Sequence, residues 1–369
     1  MKPVAIITNI PAPYRVDLFN YLQRHTEKYE IHIFYASRNE DNREWKIEEE
    51  KLLNTHFLDS YTIKIPYCFD TKYIHISKGI KAELKRLHPA IVVGAEYNPT
   101  ALQALQYCRE QKIPYISWTD GTLHSERNIG RVQKMLRKYI IRHARAYLAS
   151  SSKAREAQIF YGANPNSCFV SFLTVDLEKY KVEALEREEG RILCVGSLIK
   201  RKGIDLLFRV LQGVEEEYTL ALAGNGAEEG NLKKLTQELG INNRVEFLGY
   251  LSREELKKEY AKSSIFVLPT REDCFALVIL EAMCAGLPVV SSKFADGAYD
   301  LIEEGKNGYI IDPYQTEKFQ KCIQSLLNNP KQAKRMGLAS GEKLAQFRFE
   351  EVSKGFWKAF SYVDKTENG

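Results

Sequence analysis

The chain has 369 residues, of which 44% are hydrophobic and 27% are charged, values typical of an ordinary globular protein of two or three domains. With 22 Gly and 12 Pro, composition excludes a disordered, collagenous or low-complexity chain. The seven Cys include no Cys-x-x-Cys pair, which argues against a disulfide framework and a zinc ribbon. Because no signal-peptide segment follows Met1 and no apolar run reaches the length of a membrane span, we expect a cytoplasmic protein.

In the first half of the chain, short β-rich runs alternate with segments of helical periodicity. The predicted strands are 4–8, 31–35, 91–93, 115–118 and 146–149, and the predicted helices are 16–23, 80–87, 101–111 and 132–141. Such alternation predicts a parallel, doubly wound sheet.

The net charge of +5 is unevenly distributed, because 127–145 holds seven basic residues and no acidic one. Apolar residues at helical spacing predict an amphipathic helix over 129–143. A solvated surface helix is the plain alternative, but we favour contact with an anionic membrane surface. The residues assigned to that contact are Arg131, Lys134, Arg137 and Lys138. No aromatic-rich nucleic-acid module accompanies them, so no nucleic-acid partner is expected.

A polar, acidic connector at 183–190 precedes a second series of the same kind. Its predicted strands are 191–196, 219–223, 245–248, 265–268, 288–291 and 308–311, with a helix at 232–239. The chain is therefore expected to form two α/β, Rossmann-like domains, 1–185 and 186–346. Ligands of open α/β sheets bind outside the carboxyl ends of the strands, so we expect two facing domains with the chemistry on those loops.

The segment 269–290 is the most informative, because it predicts strand, acidic loop, helix and strand in succession. Backbone N–H groups at the start of the helix suit a diphosphate. The residues assigned to this contact are Cys274, Phe275, Ala276 and Leu277. Asp273 has a plain alternative role as a helix cap. Glu281 lies in an otherwise apolar helix, where burial is costly without a partner, so we favour a functional role for it.

This segment resembles the acidic signature of retaining GT-B glycosyltransferases of the glycosyltransferase family 4 type (glycosyl transferases group 1), in which two carboxylates stand eight positions apart. By that resemblance, Glu281 would bind the ribose hydroxyls of a sugar nucleotide. Asp273 stands where the first Glu of the signature is usual. Either Asp273 or the adjacent Glu272 would bind the hydroxyls of the transferred sugar.

The loop 195–205 resembles the family's glycine and lysine loop, which embraces the donor diphosphate and stabilises charge on the leaving group. Lys202 matches the family's Lys, whereas Ser197 replaces the Arg that usually follows the first glycine, here Gly196. Either Arg201 or Lys200 is expected to compensate by reaching into the same space. Backbone groups around Tyr250 and Leu251 would contact the base. The resemblance is continuous from about 192 to 313.

The first domain resembles the family less closely and would hold the acceptor. Arg15 is assigned to a phosphate or the acceptor, although a surface Arg at a helix start is an equally good interpretation. Asp120 takes the place of the family's catalytic-site His. His124, four residues further on, is assigned with Arg15 to the acceptor or a phosphate. A strand-ending turn is a comparable interpretation of Asp120. The resemblance also implies that the aromatic-rich helix in 347–369 crosses back to the first domain.

Taken together, the resemblance implies a GT-B fold and a retaining, metal-independent glycosyltransferase without a cofactor, in which Asp120, Asp273 and Lys202 are catalytic. It would move a sugar from a nucleotide-sugar, UDP-linked in the favoured case and GDP-linked in the second, to a saccharide or lipid-linked acceptor. Bacterial surface polysaccharide or glycolipid synthesis at the inner face of the membrane would fit. One alternative is a weak or inactive GT-B subunit with a binding or regulatory role.

A nicotinamide oxidoreductase is the second alternative, and it fits poorly. Gly224-x-Gly226 matches the start of a dinucleotide fingerprint, but Glu229 occupies the position of the third glycine.

Overall fold

The computed structural model describes residues 1–40, 48–67, 70–182 and 187–366 and divides into two compact α/β units. The first unit comprises Met1–Tyr67, Thr71–Asp176 and Phe349–Gly369, and the second comprises Cys68–Asp70 and Leu177–Arg348. The predicted boundary at 185/186 lies outside the described residues, and membership of the units changes between Asp176 and Leu177.

The first unit is built on a parallel sheet of seven strands in the order β3-β2-β1-β6-β7-β8-β9. Its elements are β1 (Lys2–Thr8), α1 (Pro13–Arg24), β2 (Tyr29–Tyr35), β3 (Thr55–Phe57), β4 (Ser60–Tyr67), β5 (Asp70–Ser77), α2 (Ile80–Leu87), β6 (Ile91–Ala95), α3 (Pro99–Gln111), β7 (Tyr115–Thr119), α4 (Arg131–His143), β8 (Ala146–Ala149), α5 (Ser152–Phe160) and β9 (Cys168–Val170). Every strand predicted in this half is present. The sequence analysis missed β3, β9 and the separate two-stranded sheet of β4 and β5.

The strands of this sheet are buried on both faces, since alternate side chains of one strand enter opposite cores. In β1, Val4 and Ile6 join the core that contains α1, whereas Ala5 and Ile7 join the core that contains α2 and α3. The charged residue of β1, Lys2, lies at the first position of the strand.

The second unit repeats the pattern with a parallel sheet in the order β12-β11-β10-β13-β14-β15. Its elements are β10 (Arg191–Val195), α6 (Ile204–Gln212), β11 (Thr219–Ala223), α7 (Glu229–Glu238), β12 (Val245–Gly249), α8 (Arg253–Lys262), β13 (Ile265–Leu268), α9 (Leu277–Cys284), β14 (Val289–Ser292), α10 (Ala298–Leu301), β15 (Gly308–Ile311), α11 (Thr316–Leu327) and α12 (Pro330–Leu344). In both sheets the strand order reverses at the first strand, which places a ligand-binding crevice at that strand's carboxyl end.

The C-terminal helix α13 (Phe349–Thr366) is part of the first unit. Its apolar face enters the same core as α1, where the ring of Phe356 meets that of Trp118 edge to face, with centroids 5.2 Å apart. Tyr29 of β2 donates a hydrogen bond to Asp364 at 2.9 Å. The helix thus covers one face of the first sheet.

Two glycines of α12 provide a matched test of packing in the second unit. A Cβ on Gly337 would lie 1.9 Å from the carbonyl oxygen of Gly286, whereas a Cβ on Gly341 would meet nothing within 4 Å. We expect Gly337→Ala to destabilise the protein by about 2 kcal/mol or more through overpacking. Gly341→Ala should stabilise it by about 0.5–1 kcal/mol through helix propensity. Urea unfolding of both variants measures the difference, and equal effects would contradict the packing.

Candidate functional site

An ion pair joins the basic and acidic loops at the carboxyl edge of the second sheet. Lys202 Nζ lies 2.6 Å from Asp273 Oδ2, and both side chains are 15% exposed. Arg201 Nη1 lies 4.0 Å from the same oxygen and donates to the carbonyl of Glu272 at 3.1 Å. The structure therefore brings together four of the residues assigned to the donor site.

Asp273 also caps the turn that leads into α9. Its Oδ1 accepts hydrogen bonds from the backbone N–H groups of Ala276 at 2.8 Å and Phe275 at 3.2 Å. Burial alone would raise the pKa of Asp273, but the charges of Lys202 and Arg201 and these hydrogen bonds lower it to about 2. The carboxylate is therefore ionised throughout the physiological pH range.

These bonds correct part of the assignment for the acidic loop. The N–H groups of Phe275 and Ala276, predicted to face a diphosphate, donate to Asp273 instead. The Phe275 side chain is buried, with its ring packed toward Phe347. Cys274 and Leu277 on either side are half-buried. Ala276 adopts a left-handed backbone with φ of 64°, a strained conformation for a residue with a Cβ and one that clusters at functional sites.

Glu281 is buried in α9, where tyrosine hydroxyls contact it. Tyr260 of α8 donates to Glu281 Oε2 at 2.9 Å, and Tyr180 also hydrogen-bonds to the carboxyl. Burial raises the pKa of Glu281 to about 7, although both tyrosine hydrogen bonds act in the opposite direction. The sequence analysis missed both tyrosines, since nothing in their spacing links them to α9.

In the loop that follows β10, the backbone packs closely against the loop that follows β11. A Cβ on Gly224 would lie 2.1 Å from the carbonyl oxygen of Gly196, and one on Gly226 would lie 2.5 Å from that of Leu198. These two glycines, which resemble the start of a dinucleotide fingerprint, therefore serve loop packing. Ser197 is exposed on this loop.

Tyr250 and Leu251, the residues assigned to the base, follow β12 directly. Tyr250 is 56% exposed, and Leu251 is half-buried. Their position at the end of a strand puts them on the same edge of the sheet as the basic loop.

A second polar cluster lies at the carboxyl edge of the first sheet. Arg15 Nη2 lies 2.5 Å from Asp120 Oδ2, and its guanidinium stands 4.1 Å from the centroid of the Trp118 ring. Ser150 donates to Asp120 Oδ1 and accepts from Trp118 Nε1 at 3.0 Å. The surface interpretation of Arg15 is wrong, since the residue is 7% exposed.

The sequence analysis missed Glu96, which joins this cluster from the end of β6. Its Oε1 accepts the backbone N–H of Asp120 at 3.2 Å, and its backbone is left-handed with φ of 67°. Burial, followed by the charge of Asp120, raises the pKa of Glu96 to about 7. The available signal was position, because Glu96 and Asp120 both come directly after a buried strand. His124 is half-buried in the next loop, where its carbonyl accepts from Arg127 at 2.5 Å.

The predicted membrane role of Arg137 is wrong. Its side chain turns inward and makes two hydrogen bonds to Glu126, at 2.8 and 2.7 Å, and both residues are buried. The other residues assigned to that contact are exposed. They are Arg131, Lys134 and Lys138.

No described helix is long and apolar enough to cross a membrane. No described group of three or more His, Cys, Asp and Glu residues could hold a metal ion.

Sequence comparison relates the second unit to a known family. Residues 176–342 match the model described as Glycosyl transferases group 1. A glycosyltransferase of Haemophilus influenzae is 29% identical over 279 residues, which are 72% of this chain and 75% of that protein. A GDP-mannose-dependent alpha-(1-6)-phosphatidylinositol monomannoside mannosyltransferase of Mycolicibacterium smegmatis is 29% identical over 158 residues, 40% of this chain and 41% of that protein.

Structural comparison extends the likeness to nearly the whole chain. Anabaena HepE in complex with UDP matches with a TM-score of 0.80 and 16% identity, over 98% of this chain and 100% of that one. The lipopolysaccharide outer core galactosyltransferase WaaB matches with a TM-score of 0.75 and 20% identity, over 97% of this chain and 99% of that one. The expected GT-B fold is confirmed.

The raised pKa of Glu281 makes a prediction about stability. Between the ordinary value of 4.5 and about 7, the folded chain keeps a proton that the unfolded chain releases, so stability falls as pH rises through this window. Glu281→Gln removes that loss, so its free energy of unfolding relative to that of the wild type should be roughly 2.5 kcal/mol higher at about pH 8 than at about pH 5. Urea unfolding at both pH values measures this gain.

The matched control is Glu254→Gln on the exposed surface of α8, which should show no such gain. A difference between Glu281→Gln and the wild type that is the same at both pH values would contradict the assignment.

Proposed function

Because the chain belongs to the glycosyl transferases group 1 family and is a glycosyltransferase, we propose that it uses a nucleotide-sugar donor and retains the anomeric configuration. The favoured nucleotide is UDP, with GDP as the second candidate. HepE is described with UDP bound, and the mannosyltransferase is GDP-mannose-dependent. The acceptor is a saccharide or a lipid-linked saccharide.

The observation that supports a donor site most directly is the Lys202–Asp273 pair with Arg201 beside it. An ammonium group has three donor hydrogens, so Lys202 can bridge the Asp273 carboxylate and a phosphate oxygen at once. Lys202 and Arg201 then stabilise the negative charge that develops on the departing diphosphate. Because protein cations supply this charge, the proposed reaction is metal-independent.

In this proposal the acidic residues bind the two sugar rings of the donor, the transferred sugar and the ribose. Asp273 is ionised and accepts hydrogen bonds from hydroxyls of the transferred sugar, with Glu272 as its neighbour. Glu281 accepts from the ribose hydroxyls, while Tyr260 and Tyr180 hold its carboxyl in one orientation. Gly196, Ser197, Tyr250 and Leu251 complete the donor side of the proposal. That larger set lies along one edge of the second sheet.

Ser197 favours a second candidate, a protein that binds a nucleotide-sugar but turns it over weakly and acts as a binding or regulatory subunit. The family's Arg at this position is absent, and only Arg201 supplies a second cation close to Asp273 within the described residues. Turnover separates the two candidates, because both bind nucleotide.

We also propose that α4 adsorbs to an anionic membrane at the inner face of the cytoplasmic membrane, where a lipid-linked acceptor of surface polysaccharide or glycolipid synthesis would be found. Val132 and Met135 are 79% and 68% exposed, and Arg131, Lys134 and Lys138 lie beside them. An apolar strip bordered by cations suits a headgroup surface. Arg137 is not part of this surface.

Titration calorimetry with UDP, GDP, ADP and NAD tests the donor site without an acceptor. We expect one sugar-donor nucleotide to bind and Glu281→Ala to weaken it by about tenfold or more, since a hydrogen bond to a charged group contributes about 1.5–3 kcal/mol. Glu254→Ala, which removes an exposed carboxylate, should bind like the wild type. Binding of NAD alone, or of none of the four, would overturn the donor assignment.

Vesicle co-sedimentation tests the membrane surface. Reversing both charges in Lys134→Glu/Lys138→Glu should lower binding to phosphatidylglycerol-containing vesicles by about tenfold or more, given roughly 1 kcal/mol per basic residue. The control Lys85→Glu/Lys112→Glu makes the same charge change at exposed positions of the first unit. Equal losses in both variants, or binding that high salt does not weaken, would contradict a specific role for α4.

A further inference from the structure

Four polar side chains from four neighbouring strand ends meet in the first unit. Arg15 lies in the first turn of α1 after β1, Glu96 follows β6, Asp120 follows β7 and Ser150 follows β8. The order of this sheet reverses at β1, which has β2 on one side and β6 on the other. Open α/β sheets bind their ligands at this point, so the cluster occupies the position where a ligand is expected.

Asp120 is held on both carboxylate oxygens and still reaches the surface. Arg15 binds Oδ2 and Ser150 binds Oδ1, while the Asp120 side chain keeps 22% of its exposure and that of Arg15 only 8%. Trp118 fixes both partners, since its ring stacks on Arg15 and its Nε1 binds Ser150. An oriented, accessible carboxylate of this kind is suited to accept a hydrogen bond from a sugar hydroxyl.

Glu96 brings a second carboxyl group close to that of Asp120, and its backbone adopts an unfavourable conformation there. Its left-handed backbone is unfavourable for a residue with a Cβ, by about 1–3 kcal/mol. One oxygen accepts the N–H of Asp120 at 3.2 Å, and the other lies 3.4 Å from Thr119 Oγ1. The charge of Asp120 also disfavours ionisation of Glu96. A protein that keeps such a costly arrangement at a ligand-binding edge commonly uses it.

We propose that Glu96 is the positioning residue of Asp120, fixing the Asp120 backbone and adding a second negative charge when it ionises. The ligand class is a saccharide hydroxyl, and this part rests on the proposed function. Asp120 touches the ligand, whereas Glu96 acts through Asp120.

The second charge appears close to neutral pH, because burial and the charge of Asp120 raise the pKa of Glu96 to about 7. Arg15 acts in the opposite direction, and Glu126 adds to the rise. Tyr97 and Arg137 also interact electrostatically with Glu96. Ionised Glu96 makes Asp120 a stronger hydrogen-bond acceptor, so Asp120 binds the hydroxyl better as pH rises through about 7.

NMR titration of the whole protein labelled with ¹³C at the glutamate carboxyl carbons tests the pair without a ligand. We expect a resonance that titrates near pH 7 and is lost in Glu96→Gln, with Glu281→Gln used to assign the other carboxyl that titrates there. Asp120→Asn should move the Glu96 midpoint to lower pH, because it removes a like charge. An unchanged midpoint would overturn the coupling, and with it the proposal.

The rate of nucleotide release from UDP-glucose or GDP-mannose, matched to the nucleotide that binds, tests the role. We expect the wild-type rate to rise through about pH 7 and Glu96→Gln to lose this rise, with kcat lower by about tenfold or more. KM for the donor and the calorimetric affinity for the nucleotide should not change. Glu110→Gln, an exposed carboxylate on α3, is the matched control.

The possible outcomes separate this proposal from the proposed function. Unchanged kcat and pH dependence in Glu96→Gln, with nucleotide still bound, would overturn the positioning role of Glu96 and leave the donor site intact. Loss of nucleotide binding in Glu96→Gln would show a general structural role and would also overturn it. Failure of the wild type to bind any nucleotide would contradict the proposed function, and the NMR titration would then decide the Glu96–Asp120 pair alone.

Discussion

Burial of both sheets on both faces is the constraint on which the rest of the structure depends. A charged side chain in the middle of a parallel strand that helices cover on each side is costly to bury without a partner. The charged groups of both sites therefore lie at the ends of the strands. The ion pair of Lys202 and Asp273 and the cluster around Asp120 both occupy such ends. The same burial constraint therefore places a polar cluster at the carboxyl edge of each of the two sheets.

Much of the fold follows from the sequence because this rule leaves a clear pattern. Strands such as β1, β10 and β13 are short apolar runs followed by glycine, proline or polar residues, and all three were predicted. The two-stranded sheet of β4 and β5 lies outside the main sheet, and the sequence analysis missed it. Tyr61, Ile63 and Ile65 alternate with polar residues as in a strand, but they are exposed, so the alternation does not mark a buried face.

The candidate site was less predictable, since its geometry depends on contacts between distant segments. Glu281 could be found because a carboxylate in an apolar helix is unusual, but Tyr260 and Tyr180 could not, because tyrosine is common in buried positions. Arg137 was misplaced for the reverse reason. Its place in a run of cations suggested contact with a membrane surface, and only the fold reveals that Glu126 neutralises it inside the protein.

The carboxyl groups at the two edges show how one residue type is adapted to different tasks by its neighbours. Two cations and two backbone amides keep Asp273 ionised well below neutral pH, which suits a permanent acceptor. Glu281 is buried and Glu96 is half-buried, both with weaker compensation than Asp273, so the pKa of each is raised to about 7. Because a buried carboxyl with a raised pKa weakens the fold at neutral pH, stability alone does not explain why the chain keeps both. A contribution from ligand binding at each edge would offset that loss, and it would do so independently in the two units.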